Sequence, residues 1–253
     1  MITLLNGDAW GYEEIKTQMY EDEFYYGHLG KYAFSSSAMN TLLDSPKRYK
    51  RSLTKATEPT EALRLGKLFH TMVLEPHKVD KMHFVDVLSS NAKAYKDAVL
   101  EHGEVFTRKE RVYSERLTDA MLMNKEVNKF LNKAEFEVPE IAMLDGYAVR
   151  GKADILKGDH IIDLKTSRNV KGFRQSAQKL GYDLQAYIYK TLFKAKEFTF
   201  LVIDKNTTDI AIFETSEEFI DSGRLKFEQA LRLYEYFFVE ENNLEDYVFR
   251  GVL

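Results

Sequence analysis

Apolar positions recur along this chain in two rhythms, a helical one toward both ends and a strand-like one in the middle. Met39, Leu42 and Leu43 fall on one helical face behind the caps Ser35-Ser36-Ser37 and ahead of the stop Asp44-Ser45-Pro46. From Pro59, the residues Leu63, Leu65, Leu68, Phe69, Met72 and Val73 wrap most of a helix circumference, which predicts a buried helix. Residues 89–131 read as polar helix. One helix ends at Glu101-His102-Gly103, and a second starts at the capping-box sequence Thr107–Glu110 and reaches about Phe130. The rhythm then turns to strands: AEFEVPEIAML from Ala134, YAVRGKADIL from Tyr147 and HIIDLKT from His160. Asp145-Gly146 and Lys157-Gly158-Asp159 separate these runs and predict hairpin turns.

Helical spacing returns over residues 172–194, with a break near Gly181. Two further strand runs, EFTFLVIDK and DIAIFET, flank Asn206-Thr207-Thr208, and an amphipathic helix closes the chain from about Ser216 to Glu240, with Thr215 and Glu218 placed for a capping box. Residues 1–34 are rich in Glu, Asp and Tyr, show no period and predict no element. The expected fold is therefore α/β, with a central mixed sheet flanked by helices. Three stretches are expected: 1–34 of unassigned fold, a helical part at 35–131, and a core at 132–253 that forms one unit with the helical part.

Composition changes this picture little and charge changes it more. The 253 residues, 44% hydrophobic and 30% charged, suit a globular protein, and no apolar run approaches a membrane span. With no recognisable signal peptide and no cysteine to form disulfides or thiolate metal sites, a cytoplasmic location without membrane association is expected. The net charge of −4 argues against a nucleic-acid partner until its distribution is read. Residues 46–67 and 165–179 each carry a net +5, which leaves about −14 on the rest. Two basic segments in an acidic body can form an electrostatic groove. Lys93, Lys96, Arg108, Lys109 and Arg111 are further candidates to line it, interspersed with acids.

The candidate chemistry lies in the central strands. Alternation puts Asp163 and Lys165 on one face of their strand and Ile162, Leu164 and Thr166 on the other, with Asp154 on the neighbouring strand. Two carboxylates beside a lysine is the layout needed for metal-assisted phosphodiester hydrolysis. Glu137 and Glu140 lie on the first strand, within reach of that site or solvated at the sheet edge. His70, one turn after Gly66, is a satisfied core residue or a metal ligand; the spacing alone leaves both open.

Gly151-x-x-Asp154 followed by Asp163-x-Lys165 resembles the core of the PD-(D/E)XK nucleases, in the branch of RecB-type nuclease domains and the RecE-type exonuclease VIII. Three other stretches carry the same resemblance: Ser37 to Tyr49, the run GKLFHTMVLEP from Gly66 to Pro76, and the pair Gln185 and Tyr189 in a Q-x-x-x-Y spacing. It extends over roughly residues 35–240 and departs from the pattern at Ala153, where proline is usual.

The resemblance implies a restriction-endonuclease-like core with a helical insertion. Asp154, Asp163 and Lys165 would be catalytic, and His70, Asp154, Asp163 and the Leu164 carbonyl would hold Mg²⁺, for which Mn²⁺ substitutes. Gln185 and Tyr189, with Lys47, Arg48 and Arg168, would contact DNA. It further implies digestion of linear duplex DNA from its ends in recombination or phage DNA metabolism, a ring-shaped homo-oligomer and a single-strand annealing protein as partner. Two alternatives are a single-strand-specific or 3′-end nuclease of the AddB kind, whose relatives often carry four cysteines, and a non-catalytic DNA-binding protein on a nuclease core.

Overall fold

The computed structural model describes residues 1–55 and 60–249. The first 34 residues, for which no element was expected, are folded. Strands β1 (Ile2–Thr3) and β2 (Ala9–Trp10) pair antiparallel, and helix α1 (Tyr12–Gln18), a wide turn over Glu23–His28 and the short α2 (Leu29–Tyr32) follow. Ile15, Met19, Tyr25 and Leu29 bury themselves together with Ile141 and Ala148 of the central sheet. The apolar residues are spread over pieces too short to display a period, so the sequence pattern is silent here. Phe34 fastens the segment to the sheet, its N–H donating to Ala148 O at 2.9 Å and its carbonyl accepting from Arg150 N at 2.8 Å.

Helix α3 (Ser36–Asp44) is capped by Ser35, whose hydroxyl accepts from Ala38 N. Ser45 then caps α4 (Pro46–Thr54), so the expected stop also starts a second helix, with proline in its first turn where the missing N–H costs nothing. Pro59, the expected helix opener, lies outside the described residues. Helix α5 (Glu61–Leu74) is capped by Thr60, and Leu68, Phe69, Met72 and Val73 are buried. Leu63 is 66% exposed, so the helix is buried only beyond its first turn.

Next come α6 (Pro76–Val79), β3 (His83–Val85), α7 (Lys93–His102) and β4 (Val105–Thr107), with β3 and β4 forming a small parallel pair that was not expected. The Thr107–Glu110 capping box forms and opens α8 (Arg108–Leu122). This helix stops short of Phe130, because the Asn124 side chain accepts from Glu126 N and Val127 N and starts a separate α9 (Lys125–Leu131).

The central sheet follows the expected order: β5 (Glu135–Leu144), β6 (Tyr147–Lys157), β7 (His160–Ser167), the crossover helices α10 (Phe173–Ala177) and α11 (Tyr182–Phe193), β8 (Glu197–Asp204), β9 (Ile210–Glu214) and α12 (Glu217–Tyr234). Neighbours in the sheet follow chain order, and β7–β8 is its parallel pair, as a helical crossover requires. The α12 cap is Ser216, accepting from Phe219 N; Thr215 instead donates its hydroxyl to Phe198 O at 3.0 Å.

The sheet is covered on both faces. Helices α3, α11 and α12 pack over Val149, Ala153 and Ile161, whereas α5 and α8 pack over Ile155, Ile162 and Leu164. Val149 and Ala153 lie in one core and Ile155 in the other, although strict alternation would put all three on one face. The side-chain phase of β6 therefore shifts at Asp154.

Candidate active site

Two tight turns set the register that assembles the site. Asp145 and Gly146, both at positive φ (46° and 85°), pair Leu144 with Tyr147. Counting back along that ladder puts Glu137 opposite Asp154, between the pairs Phe136–Ile155 and Val138–Ala153. Glu137 has φ 51°, so the left-handed kink in β5 sits opposite the phase shift in β6. On the other side, β6 and β7 pair from Lys157–His160 to Ile155–Ile162 and then part. Past the parting, the Asp154 carboxylate replaces a main-chain acceptor: its Oδ2 accepts from Leu164 N at 2.8 Å.

Helix α5 brings His70 to this gap, Nδ1 lying 3.5 Å from Asp154 Oδ2. One ligand atom from each of His70, Glu137 and Asp154 lies within 4.8 Å of the others. Asp163 is not in that group. It is buried, its Oδ1 accepts from Gln185 Nε2 at 2.6 Å, and its Oδ2 is ion-paired with the Lys165 ammonium. The Lys165 ammonium also lies 4.9 Å from the centre of the Tyr182 ring.

The electrostatics are those of an acidic pocket short of a cation. Burial first, then the charges of Asp154 and Glu75, raise the Glu137 carboxyl to about 8, while Lys152 and Lys78 pull it down. Burial raises Asp163 to about 6 against the pull of Lys165, with the Asp154 charge adding to the rise. Asp154 is also raised by burial, opposed by Lys165 and the Leu164 N–H. Burial and the Lys165 charge push the His70 imidazole down to about 4, which leaves it neutral, the form that ligates metals. Burial lowers Lys165 too, but Asp163 and Asp154 outweigh it and the ammonium stays charged.

The donor set fits a divalent cation. Two carboxylates and a neutral imidazole converge, and Asp163 Oδ2 is buried without a hydrogen bond of good geometry. Such a cation would offset the burial that raises Glu137 and Asp154 and the repulsion that adds to the rise at Glu137.

The expected ligand set was His70, Asp154, Asp163 and the Leu164 carbonyl. The structure puts Glu137 beside His70 and Asp154, with Asp163 one strand over and held by Lys165 and Gln185. Leu164 serves Asp154 through its N–H and also touches His70 through its backbone. Glu140, the other glutamate in question, is not in the site; it binds Lys16 and accepts from the Tyr12 hydroxyl at 2.8 Å.

Gln185 and Tyr189 both come from α11, one turn apart, but their surroundings differ. Tyr189 is buried, and its hydroxyl accepts from Lys152 N at 3.4 Å. A Cβ at Gly151 would lie 2.8 Å from its ring, so the glycine admits the tyrosine against β6. Lys47 pairs with Glu245 at 2.6 Å and Arg48 with Asp44, while Arg168 is exposed just past the end of β7.

No curated protein matches the chain. Among solved structures, a candidate exonuclease from Eubacterium rectale superposes with a TM-score of 0.66 at 15% identity, over 92% of this chain and 95% of that one. A phage-related exonuclease from Haemophilus somnus 129PT gives 0.36 at 15% identity, over 83% and 96% of the two chains. An alkaline exonuclease from Laribacter hongkongensis gives 0.37 at 12% identity, over 83% and 93%. The family model described as a PDDEXK-like domain of unknown function, DUF3799, matches residues 35–243. That span takes in His70, Glu137 and the whole Asp154–Asp163–Lys165 cluster, and the chain belongs to this PDDEXK-like family.

Proposed function

We propose that the protein is a metal-dependent deoxyribonuclease that removes nucleotides from the ends of linear duplex DNA, in recombination or phage DNA metabolism. The observation that carries this reading is the cluster where β6 and β7 part: Asp154, Asp163 and Lys165 with His70 and Glu137 alongside. A non-catalytic DNA-binding protein has no need of a lysine paired with a buried aspartate beside a cation-ready pocket. The fold similarity to the Eubacterium rectale candidate exonuclease is in keeping with this reading.

His70, Glu137 and Asp154 would hold the cation, Mg²⁺ with Mn²⁺ as substitute, and Asp163 would join them on release from Lys165. Bound there, the cation supplies a polarised phosphate and an acidified water. Lys165, paired with Asp163, stands beside that site. As a compact charge on a flexible stem it orients the attacking water and offsets negative charge gathering on the phosphate oxygens. Gln185 donates to Asp163 Oδ1 and would steady that carboxylate. A ring-shaped homo-oligomer and an annealing partner follow from the sequence resemblance alone.

The test offers end-labelled linear duplex, single strand and covalently closed circular DNA side by side with Mg²⁺. Mononucleotides or short products from the linear duplex and protection of the closed circle are expected. Rapid linearisation of the circle would make the protein an endonuclease and defeat the end-dependent reading while leaving the active-site assignment standing.

A further inference from the structure

The N-terminal segment, residues 1–34, has no part in the chemistry above, and it lies outside the family match, which begins at residue 35. It reaches the site through β6. Lys152, two residues before Asp154, has a side chain only 10% exposed, and its partners are all in the segment. Its ammonium lies 3.3 Å from Asp22 Oδ1, 4.6 Å from the centre of the Tyr25 ring and 5.1 Å from that of Tyr26. Arg150, one step further back on the same face, has its guanidinium 4.2 Å from the Tyr25 ring.

The two tyrosines do different work. Tyr25 is 4% exposed and packs with Met19 and Leu29, so it belongs to the core. Tyr26 is 61% exposed, and the edge of one ring meets the face of the other at 83° with centroids 4.9 Å apart. A large aromatic ring is thus held out in solvent by a neighbouring ring and a cation, with most of its surface free. It adds little to the core, which leaves its fixed position without a folding purpose.

At the α5–α6 junction Glu75 and Lys78 pair at 2.7 Å, and Lys78 and Lys152 both act on Glu137. Lys152 therefore ties the Tyr26 ring to the candidate metal group, two residues along β6 from Asp154. We infer that the exposed Tyr26 ring, braced by Tyr25 and Lys152, stacks on a nucleobase of the DNA strand being cut and so positions that strand's phosphate at the metal group. The inference rests on the nuclease reading above. Stacking is indifferent to base identity, so the ring sets the register of the strand without imposing a sequence preference.

The experiment measures cleavage by the full chain with Mg²⁺ on duplexes carrying one abasic site, moved in turn through the last six nucleotides of each strand. Wild type should lose about tenfold in kcat/KM at one abasic position, mainly through KM. Tyr26→Ala should show the same rise in KM on intact DNA, with kcat within about twofold, and no further penalty from that abasic site. Tyr26→Phe should behave as wild type, and melting temperatures should agree, since the ring is exposed. Two results would overturn the inference: no abasic position that penalises wild type, or an undiminished abasic penalty in Tyr26→Ala. Failure of wild type to cut any DNA would instead remove the nuclease reading, and this inference with it.

Discussion

Lys165 makes its strongest contact with Asp163, which is buried, while the lysine is half-buried. Replacing the lysine removes the ammonium from Asp163 and leaves the pocket's acids in place. Lys165→Ala should lower cleavage by about a hundredfold or more, the scale of losing one well-placed electrostatic group, while DNA affinity falls only modestly. A variant that cuts at the wild-type rate would show that the Asp163–Lys165 pair is structural. His70 poses a different choice, because α5 around it is core. As a ligand, His70→Ala should melt close to wild type and need more Mg²⁺ for half-maximal activity. Lost thermal stability with an unchanged Mg²⁺ requirement would return His70 to the core.

At the scale of elements, the site is a fault between strands: β5 kinks at Glu137, β6 shifts phase at Asp154, and β7 leaves β6 beyond Ile162. Glu137 carries the cost of this arrangement, since its folded value of about 8 stands well above the ordinary 4.5. A group raised on folding contributes stability at low pH that is lost as pH climbs through the folded value. The metal-free protein should therefore lose stability between about pH 5 and 9 on account of Glu137. The neutral Glu137→Gln should melt at least about 2 °C higher than wild type at pH 9, the response of a chain this size to roughly 1 kcal/mol. Added Mg²⁺ should reverse the order by stabilising wild type more. Equal melting curves at pH 9 would mean that Glu137 ionises freely and is no part of the pocket.

Much of this was legible in the sequence, because short turns determine register. Once Asp145-Gly146 is read as a two-residue hairpin turn, counting back places Glu137 opposite Asp154, so the signal that separates Glu137 from Glu140 was present. Alternation hid it: it holds for Asp163 and Lys165 but fails in β6 at Asp154, where a side chain takes over a ladder hydrogen bond. The Gln185 and Tyr189 spacing correctly puts both on one face of α11. Only the coordinates separate the one bound to Asp163 from the one packed under Gly151. The first 34 residues stayed unread because their apolar positions pair with Ile141 and Ala148, more than a hundred residues away.

Across the whole molecule, the two basic segments prove unequal. In the first, Lys47, Arg48, Arg64 and Lys67 each have an acid partner within 4 Å, while Lys50 and Arg51 are exposed without one among the described residues. In the second, Lys165 is half-buried in the site, whereas Arg168, Lys171, Arg174 and Lys179 are exposed and have no acid partner among the described residues. The second segment is accordingly the stronger candidate for the DNA backbone. Replacing Arg168 and Lys171 together by alanine should flatten the dependence of log affinity on log salt by about two. The same change at Lys47 and Arg48 should flatten it less, since phosphate must there compete with Glu245 and Asp44. Equal slopes for the two double variants would mean that both segments line the path.

The central claim is that a divalent cation held by His70, Glu137 and Asp154 enables hydrolysis of DNA from its ends. The most direct test follows release of labelled nucleotide from linear duplex DNA by the wild-type protein, first in excess chelator and then with Mg²⁺ restored. The account predicts no release in chelator, full recovery with Mg²⁺ or Mn²⁺, and poor recovery with Ca²⁺. Undiminished release in chelator would contradict it.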